Sequence, residues 1–328
     1  KMKKGFVDLQ INGHLGKNFS SDTITVDDIR YITKELIKKG TIAYCPTVVT
    51  NSMKVFDHCL PVIAKAMEEP DLKPHILGIH MEGPFISPEE GARGAHTRKF
   101  IIKPILDKYK HFQDLAQGKI VMITLAPEIN GTIKLIEYIV KNEKTVVSLG
   151  HHHADVETIK LACLKGAKCC THLGNGINNS IHRFLNPLWA QLSADSLWGM
   201  FITDGVHLPA EFIKTALRAK TLDRFIVTSD AASISGLKPG EYNWLGKNIV
   251  IEKSGRISLK GTGYLAGSNS TMINCMNYLA SLNLLKEDDL WKAGFENPLK
   301  LIGRKLDEKK YLDLPDIKFK NKKFIIEQ

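Results

Sequence analysis

Histidines and carboxylates in this sequence gather just after short apolar runs. Gln10 and Asn12 close the first such run, while His80, Glu82 and a loop reaching His96 follow the third. His151-His152-His153 follow the fifth, His172 and Asn175 the sixth, Asp204 and His207 the seventh, and Asp230 the eighth. A carboxylate with two imidazoles is a familiar three-ligand set for a catalytic zinc-like ion that keeps one position for water or substrate. Such an ion lowers the pKa of bound water towards about 7, supplying hydroxide at neutral pH. A base must still take the proton and return it to the leaving group. An aspartate ending the last strand of a barrel can face a metal across the barrel mouth, and Asp230 is read in that role. Singly, each of these residues has a plainer reading: a core histidine is usually structural, and Asp230 before Ala231-Ala232-Ser233 resembles a helix N-cap. Their joint placement at successive run ends is what points to a site.

Placing all of them on one face requires a scaffold in which many strands end together. Eight short apolar runs supply candidates: Gly5 to Gln10, Ile42 to Thr47, Ile76 to His80, Ile120 to Ala126, Thr145 to Gly150, Ala167 to Thr171, Leu197 to Thr203 and Arg224 to Ser229. They are too short for helices, and several are rich in Val and Ile, as strands buried on both faces should be. Between them, Val26 to Lys39, Met53 to Met67, Gly131 to Asn142, Val156 to Lys165 and Pro209 to Ala219 repeat apolar residues at helical spacing. Eight strand-helix repeats predict an α/β fold closed into a (β/α)₈ TIM barrel, whose active site forms at the C-terminal ends of the strands. The rival, an open doubly wound sheet, would favour a GxGxxG turn after the first strand, where Asn12-Gly13-His14-Leu15-Gly16 stands instead.

The sequence has 328 residues, against roughly 250 for a bare barrel of this kind, which leaves room for insertions. The barrel is expected over residues 1–310, followed by a tail or edge strand over 311–328. Alternating segments at Asn248 to Glu252 and Arg256 to Leu259, split by Lys253-Ser254-Gly255, predict a β-hairpin inserted at about residues 238–266. Thr271 to Leu284 and Glu287 to Gly294 should be the last helices.

The net charge of +10 is spread along helices and gathered in the tail, with no interleaved aromatic patch, so no nucleic-acid partner is expected. No apolar run approaches the roughly 20 residues that span a bilayer, and no signal-peptide core opens the sequence. A cytoplasmic protein without a membrane partner is expected. The six cysteines show neither CxxC spacing nor a disulfide framework and read as reduced, mostly core residues.

Six segments, in order, resemble one family. They are Gly5-Phe6-Val7-Asp8-Leu9-Gln10-Ile11-Asn12-Gly13, His80-Met81-Glu82-Gly83-Pro84-Phe85, Gly150-His151, Thr171-His172-Leu173-Gly174-Asn175, Asp204-Gly205-Val206-His207 and Val227-Thr228-Ser229-Asp230-Ala231. Together they look like the motifs of the N-acetylglucosamine-6-phosphate deacetylases of the amidohydrolase superfamily, over about Gly5 to Met272. The resemblance implies that Glu82, His151 and His172 hold a divalent metal ion and that Asp230 is the catalytic acid and base. It implies that His96 binds the acetyl carbonyl oxygen, where charge develops in the transition state. Asn175, Gly176 and His207 match positions near the sugar phosphate. Arg183 lies where the family's phosphate-binding arginine reaches in from a neighbouring subunit, which implies a homodimer; an arginine in a polar loop is also often just a surface residue.

Many amidohydrolases carry a His-x-His pair on the first strand that supports a second metal. Gln10-Ile11-Asn12 stands here, and no lysine follows the fourth strand, so one ion is expected; His14 is the spare ligand in reserve. A mixed His and carboxylate set accepts zinc, with ferrous iron and other divalent ions open. The family normally carries a segment before the barrel that builds half of a small β-sandwich, whereas the first strand here begins almost at Gly5; the expectation is either a second domain reduced to the hairpin and tail or a divergent branch. His152, His153 and the bulky stretch from Ile181 to Trp189 also depart from the pattern. The expected reaction is hydrolysis of an N-acetyl amino sugar phosphate. The rivals are an amidohydrolase acting on an unphosphorylated sugar or a cyclic amide, and an inactive barrel that binds a sugar phosphate.

Overall fold

The structure, a computed structural model, describes residues 5–244 and 246–327. Among the described residues, eight parallel strands pair in chain order: β1 (Phe6–Ile11), β2 (Thr41–Val49), β3 (Ile79–Glu82), β4 (Ile120–Leu125), β5 (Val146–Leu149), β6 (Cys169–Cys170), β7 (Trp198–Phe201) and β8 (Phe225–Val227). Every position in them except Trp198 is buried. Burial on both faces is why they read as unbroken apolar runs rather than alternating ones. The ring closes through a parallel bridge between Ile11 and Ala231, where the Asn12 N–H donates to the Ala231 carbonyl at 2.9 Å. All eight expected strands are present, with ends moved by a few residues.

Helices α1 (Val26–Lys38), α2 (Met53–Ala66), α3 (Leu106–Leu115), α4 (Thr132–Asn142), α5 (Val156–Leu164), α6 (Pro187–Ser193), α7 (Ala210–Lys220) and α8 (Met272–Ser281) pack around the ring. Their starts are written locally: Thr25, Ser52, Asp155 and Asn186 each accept a hydrogen bond from the backbone N–H three residues on. Such a cap contributes about 1 kcal/mol. Of these eight, α3 and α6 were not among the expected patterns. In α3 only Tyr109 and Phe112 are buried, too few to mark a helical period.

The expected insert is larger by one strand. β9 (Gly240–Trp244), β10 (Lys247–Ile251) and β11 (Ile257–Leu259) form an antiparallel sheet. It has its own small core of Trp244, Ile249, Ile251, Ile257 and Leu259 with Ala232, Ile234 and Ala266. After β11 the chain returns beside the end of β8, where the Ala232 N–H donates to the Ser268 carbonyl and the Ser268 N–H to the Asp230 carbonyl, both at 2.9 Å. That return seats the insert over the C-terminal mouth of the barrel.

The tail neither joins the barrel sheet nor lies loosely. β12 (Ile317–Lys320) and β13 (Lys323–Ile326) pair with each other as a hairpin turning on Asn321 and Lys322, both in the left-handed region. Phe324 is buried against Phe6 and Trp291, each with a ring centroid 5.1 Å away, so the hairpin is docked where β1 begins. The cysteines are free thiols, and Cys163 is the one not fully buried. Among the described residues no helix is long and apolar enough to cross a membrane.

Candidate active site

Three strand ends turn sharply as they leave the barrel. His151 after β5, His172 after β6 and Asp230 after β8 all have left-handed backbones, with φ of 51°, 31° and 49°. A side-chain-bearing residue there is strained by roughly 1–3 kcal/mol, a cost that proteins concentrate at functional sites. The turn aims all three side chains into one cavity of about 430 Å³, which Glu82, His96, Asn175, Gly176 and His207 also line.

At its floor, His172 Nε2 lies 2.9 Å from Glu82 Oε1 and 3.0 Å from His151 Nε2. His151 Nε2 is 3.3 Å from the same carboxylate oxygen. Two ligands of one tetrahedral divalent ion, each bonded at about 2.0–2.1 Å, stand about 3.3 Å apart. The three donor atoms are thus spaced as the ligands of a single ion would be. The His151 Nδ1 atom lies 2.9 Å from the Ala92 carbonyl, so it carries the proton and leaves the Nε2 lone pair facing the cluster. His96 joins the group as well: its Nε2 is 3.6 Å from Glu82 Oε2, and one ligand atom from each of Glu82, His96 and His151 fits within 4.8 Å.

Burial alone would raise the Glu82 carboxyl, but the His151 and His172 imidazoles outweigh it and hold the group well below the usual range. His172 moves the other way. Burial lowers it, while its hydrogen bond and charge contact with Glu82 leave it raised. His96 is pushed well below its ordinary value by burial and by His151. Asp230 is driven up to about 6, first by burial and then by the Glu82 charge. The Glu82 charge thus disfavours ionisation of Asp230, and a cation held between the imidazoles and Glu82 would offset it.

Gln10 and Asn12 stand in this floor as amide donors. Gln10 Nε2 donates to Glu82 Oε1 and Asn12 Nδ2 to Asp230 Oδ1, both at 2.8 Å. Beneath them, Asp8 accepts hydrogen bonds from the Thr228 hydroxyl at 2.7 Å and from the Ser229 hydroxyl, pinning the residues just before Asp230.

His207 lines the cavity with Nδ1 2.8 Å from Asp204 Oδ2, an arrangement that fixes its ring. Burial would raise Asp204, and His207 pulls it below its ordinary value. Asn175 lines the wall with a buried Nδ2 that has no partner among the described groups. Arg183 is exposed and does not line the cavity of its own chain. His14 is outside the cluster, its Nδ1 2.7 Å from Ser235 Oγ. His152 is turned away from the cavity, with Nε2 2.8 Å from the Gln191 amide, and His153 is exposed. Sequence reasoning missed the wall that the insert provides, namely Trp244, Arg256 and Tyr264. Trp244 Nε1 is a further buried donor without a partner among the described groups.

Residues 4–290 match the amidohydrolase family model. The chain belongs to the amidohydrolase family. Membership implies a divalent metal ion, and the spacing of Glu82, His151 and His172 fits one. Among similar amidohydrolases, the N-acetylglucosamine-6-phosphate deacetylase of Caenorhabditis elegans is 30% identical over 327 residues, covering 95% of this chain and 76% of that one. The rat enzyme of the same name is 32% identical over 313 residues, covering 91% and 74%. The crystal structure of the Pasteurella multocida deacetylase superposes with a TM-score of 0.83 at 28% identity, covering 92% of this chain and 77% of that one.

Proposed function

We propose that this amidohydrolase removes the N-acetyl group of N-acetylglucosamine 6-phosphate, releasing acetate and the amino sugar phosphate, with Glu82, His151 and His172 holding one divalent ion and Asp230 moving the proton. The observation that carries this reading is the position of Asp230. Its buried carboxyl lines the same cavity as the three-donor cluster, held by Asn12 at one oxygen. The deacetylase relatives, matched over most of both chains, supply the substrate.

Glu82, His151 and His172 would hold a divalent ion, which would lower the pKa of water towards about 7 and polarise a carbonyl oxygen. Everything else falls to the chain. Asn12 occupies Asp230 Oδ1, so Oδ2 is the oxygen that accepts the proton of the attacking water. As the carbon–nitrogen bond breaks, the same oxygen returns that proton to the departing amine. His96, kept neutral by burial, offers an N–H to the oxygen that gains charge. Asn175 Nδ2 and Trp244 Nε1 are buried donors suited to sugar oxygens. With Gln10 and Asn12 donating to the two carboxylates, one ion is favoured over two, and zinc is the first choice for this donor set. The protein works as a cytoplasmic homodimer in this reading, with Arg183 exposed for a neighbour's site.

Asp230→Asn tests the assignment. The variant is expected to keep its metal and lose at least ~100-fold in turnover, the lower end of what a positioned acid and base contributes. A variant that holds metal and turns over at the native rate overturns it.

A further inference from the structure

We propose that Arg256, carried by the inserted sheet, is the residue with which this chain itself grips the anionic end of its substrate. This rests on the deacetylase reading above and adds the residue that selects a phosphorylated sugar. A phosphate entering a cavity that already holds the Glu82 and Asp230 carboxylates needs a cation beside it. Among the described residues lining that cavity, Arg256 is the single lysine or arginine. Arg183 faces out of it, and the nearby Lys247 donates instead to the His96 carbonyl at 3.2 Å.

The guanidinium is set for the task. Arg256 Nη2 donates to the Gly263 carbonyl at 2.8 Å, which orients the group against the returning segment of the insert. Glu252 Oε1 forms an ion pair with Nη1 at 3.8 Å, too long for a hydrogen bond, and with both side chains 40% exposed the pair is screened by water and leaves the guanidinium free to exchange partners. Arg256 also borders a second cavity of about 400 Å³, shared with His207, Asn274, Asn277 and Lys323. His207 and Arg256 both line the two cavities, and a phosphate between them meets an imidazole already anchored to Asp204 and a planar fork matched to its oxygens.

The test compares the metal-loaded native protein with Arg256→Ala and Arg256→Lys on N-acetylglucosamine 6-phosphate and on unphosphorylated N-acetylglucosamine. Arg256→Ala should raise KM for the phosphorylated sugar by about 10- to 100-fold, the range for losing a charge-assisted hydrogen bond, with kcat moved far less. For the unphosphorylated sugar, kcat/KM should fall less than about threefold, and Arg256→Lys should recover only part of the loss because it lacks the fork. Inorganic phosphate gives an independent readout: it should raise the melting temperature of the native protein and not that of Arg256→Ala. Equal losses on both sugars, or an unchanged KM together with an unchanged phosphate effect, overturn the proposal. Loss of phosphate preference in Arg183→Ala but not in Arg256→Ala overturns it too. If the native protein releases acetate from neither sugar, the deacetylase reading fails, while the phosphate-induced melting shift still decides for or against Arg256.

Discussion

Gly176 lies where backbone freedom and metal geometry meet, and Gly176→Ala probes both. Its φ is +64°, and an added Cβ would stand 2.9 Å from His151 Nδ1, 3.1 Å from His151 Cε1 and 3.1 Å from His172 Cε1. Those contacts come at once from two rings whose Nε2 atoms are 3.0 Å apart. The His151 ring cannot swing clear without giving up its 2.9 Å contact with the Ala92 carbonyl. Alanine in a left-handed conformation costs roughly 1–2 kcal/mol by itself. Displacing the rings by a few tenths of an ångström should cost a further 10–100-fold in metal affinity, the usual penalty for disturbing the support of a ligand. Gly118→Ala is the control, because Gly118 also has a positive φ of 71° but meets nothing within 4 Å. Competition against a chromogenic chelator and melting of metal-free protein separate the two effects. Both variants should lose stability without metal, and only Gly176→Ala should bind metal more weakly. Native affinity in Gly176→Ala would refute the placement of the ion between His151 and His172.

Further expectations concern the frame around the site. Asp8 is pushed up to about 6 by burial, which its hydrogen bonds to Ser229 and Thr228 only partly offset. An unfolded aspartate titrates near 3.9, so the folded chain holds the proton more tightly; this contribution is complete below the unfolded value and is lost as pH rises through about 6. Relative to Asp8→Asn, the native protein should therefore lose about 2 kcal/mol between pH 4 and 7 in denaturant unfolding, and a constant difference would contradict the assignment. Phe324→Ala should destabilise the fold by about 3–5 kcal/mol, measured the same way, because it removes a ring packed on Phe6, Phe319 and Trp291. A loss under about 1 kcal/mol would mean that the tail hairpin is not docked in solution.

The barrel was legible because each strand is buried on both faces, so its sequence is a plain apolar run bounded by helical periodicity. The candidate site residues stand out in the sequence for a related reason: Glu82, His151, His172 and Asp230 each end or follow such a run, and polar side chains there are conspicuous. Other features leave weaker traces. β9 exposes or half-exposes Gly240, Glu241, Tyr242 and Asn243 and buries only Trp244, so no alternation marks it. The tail hairpin has its signal in Ile317, Phe319, Phe324 and Ile326, but the surrounding lysines mask it. Gln10 and Asn12 read as ligands that a metal lacks, whereas their donation to Glu82 and Asp230 appears only in three dimensions. Arg256 is an ordinary hairpin residue until the insert is folded over the mouth of the barrel.

In the proposed reading, one divalent ion on Glu82, His151 and His172 drives release of acetate from an N-acetyl amino sugar phosphate. Chelated, metal-free protein titrated with zinc while acetate release from N-acetylglucosamine 6-phosphate is followed tests it most directly. Activity should be absent without metal, rise linearly and level off at one equivalent per chain. Acetate release that survives chelation, that needs two equivalents, or that never appears would contradict it.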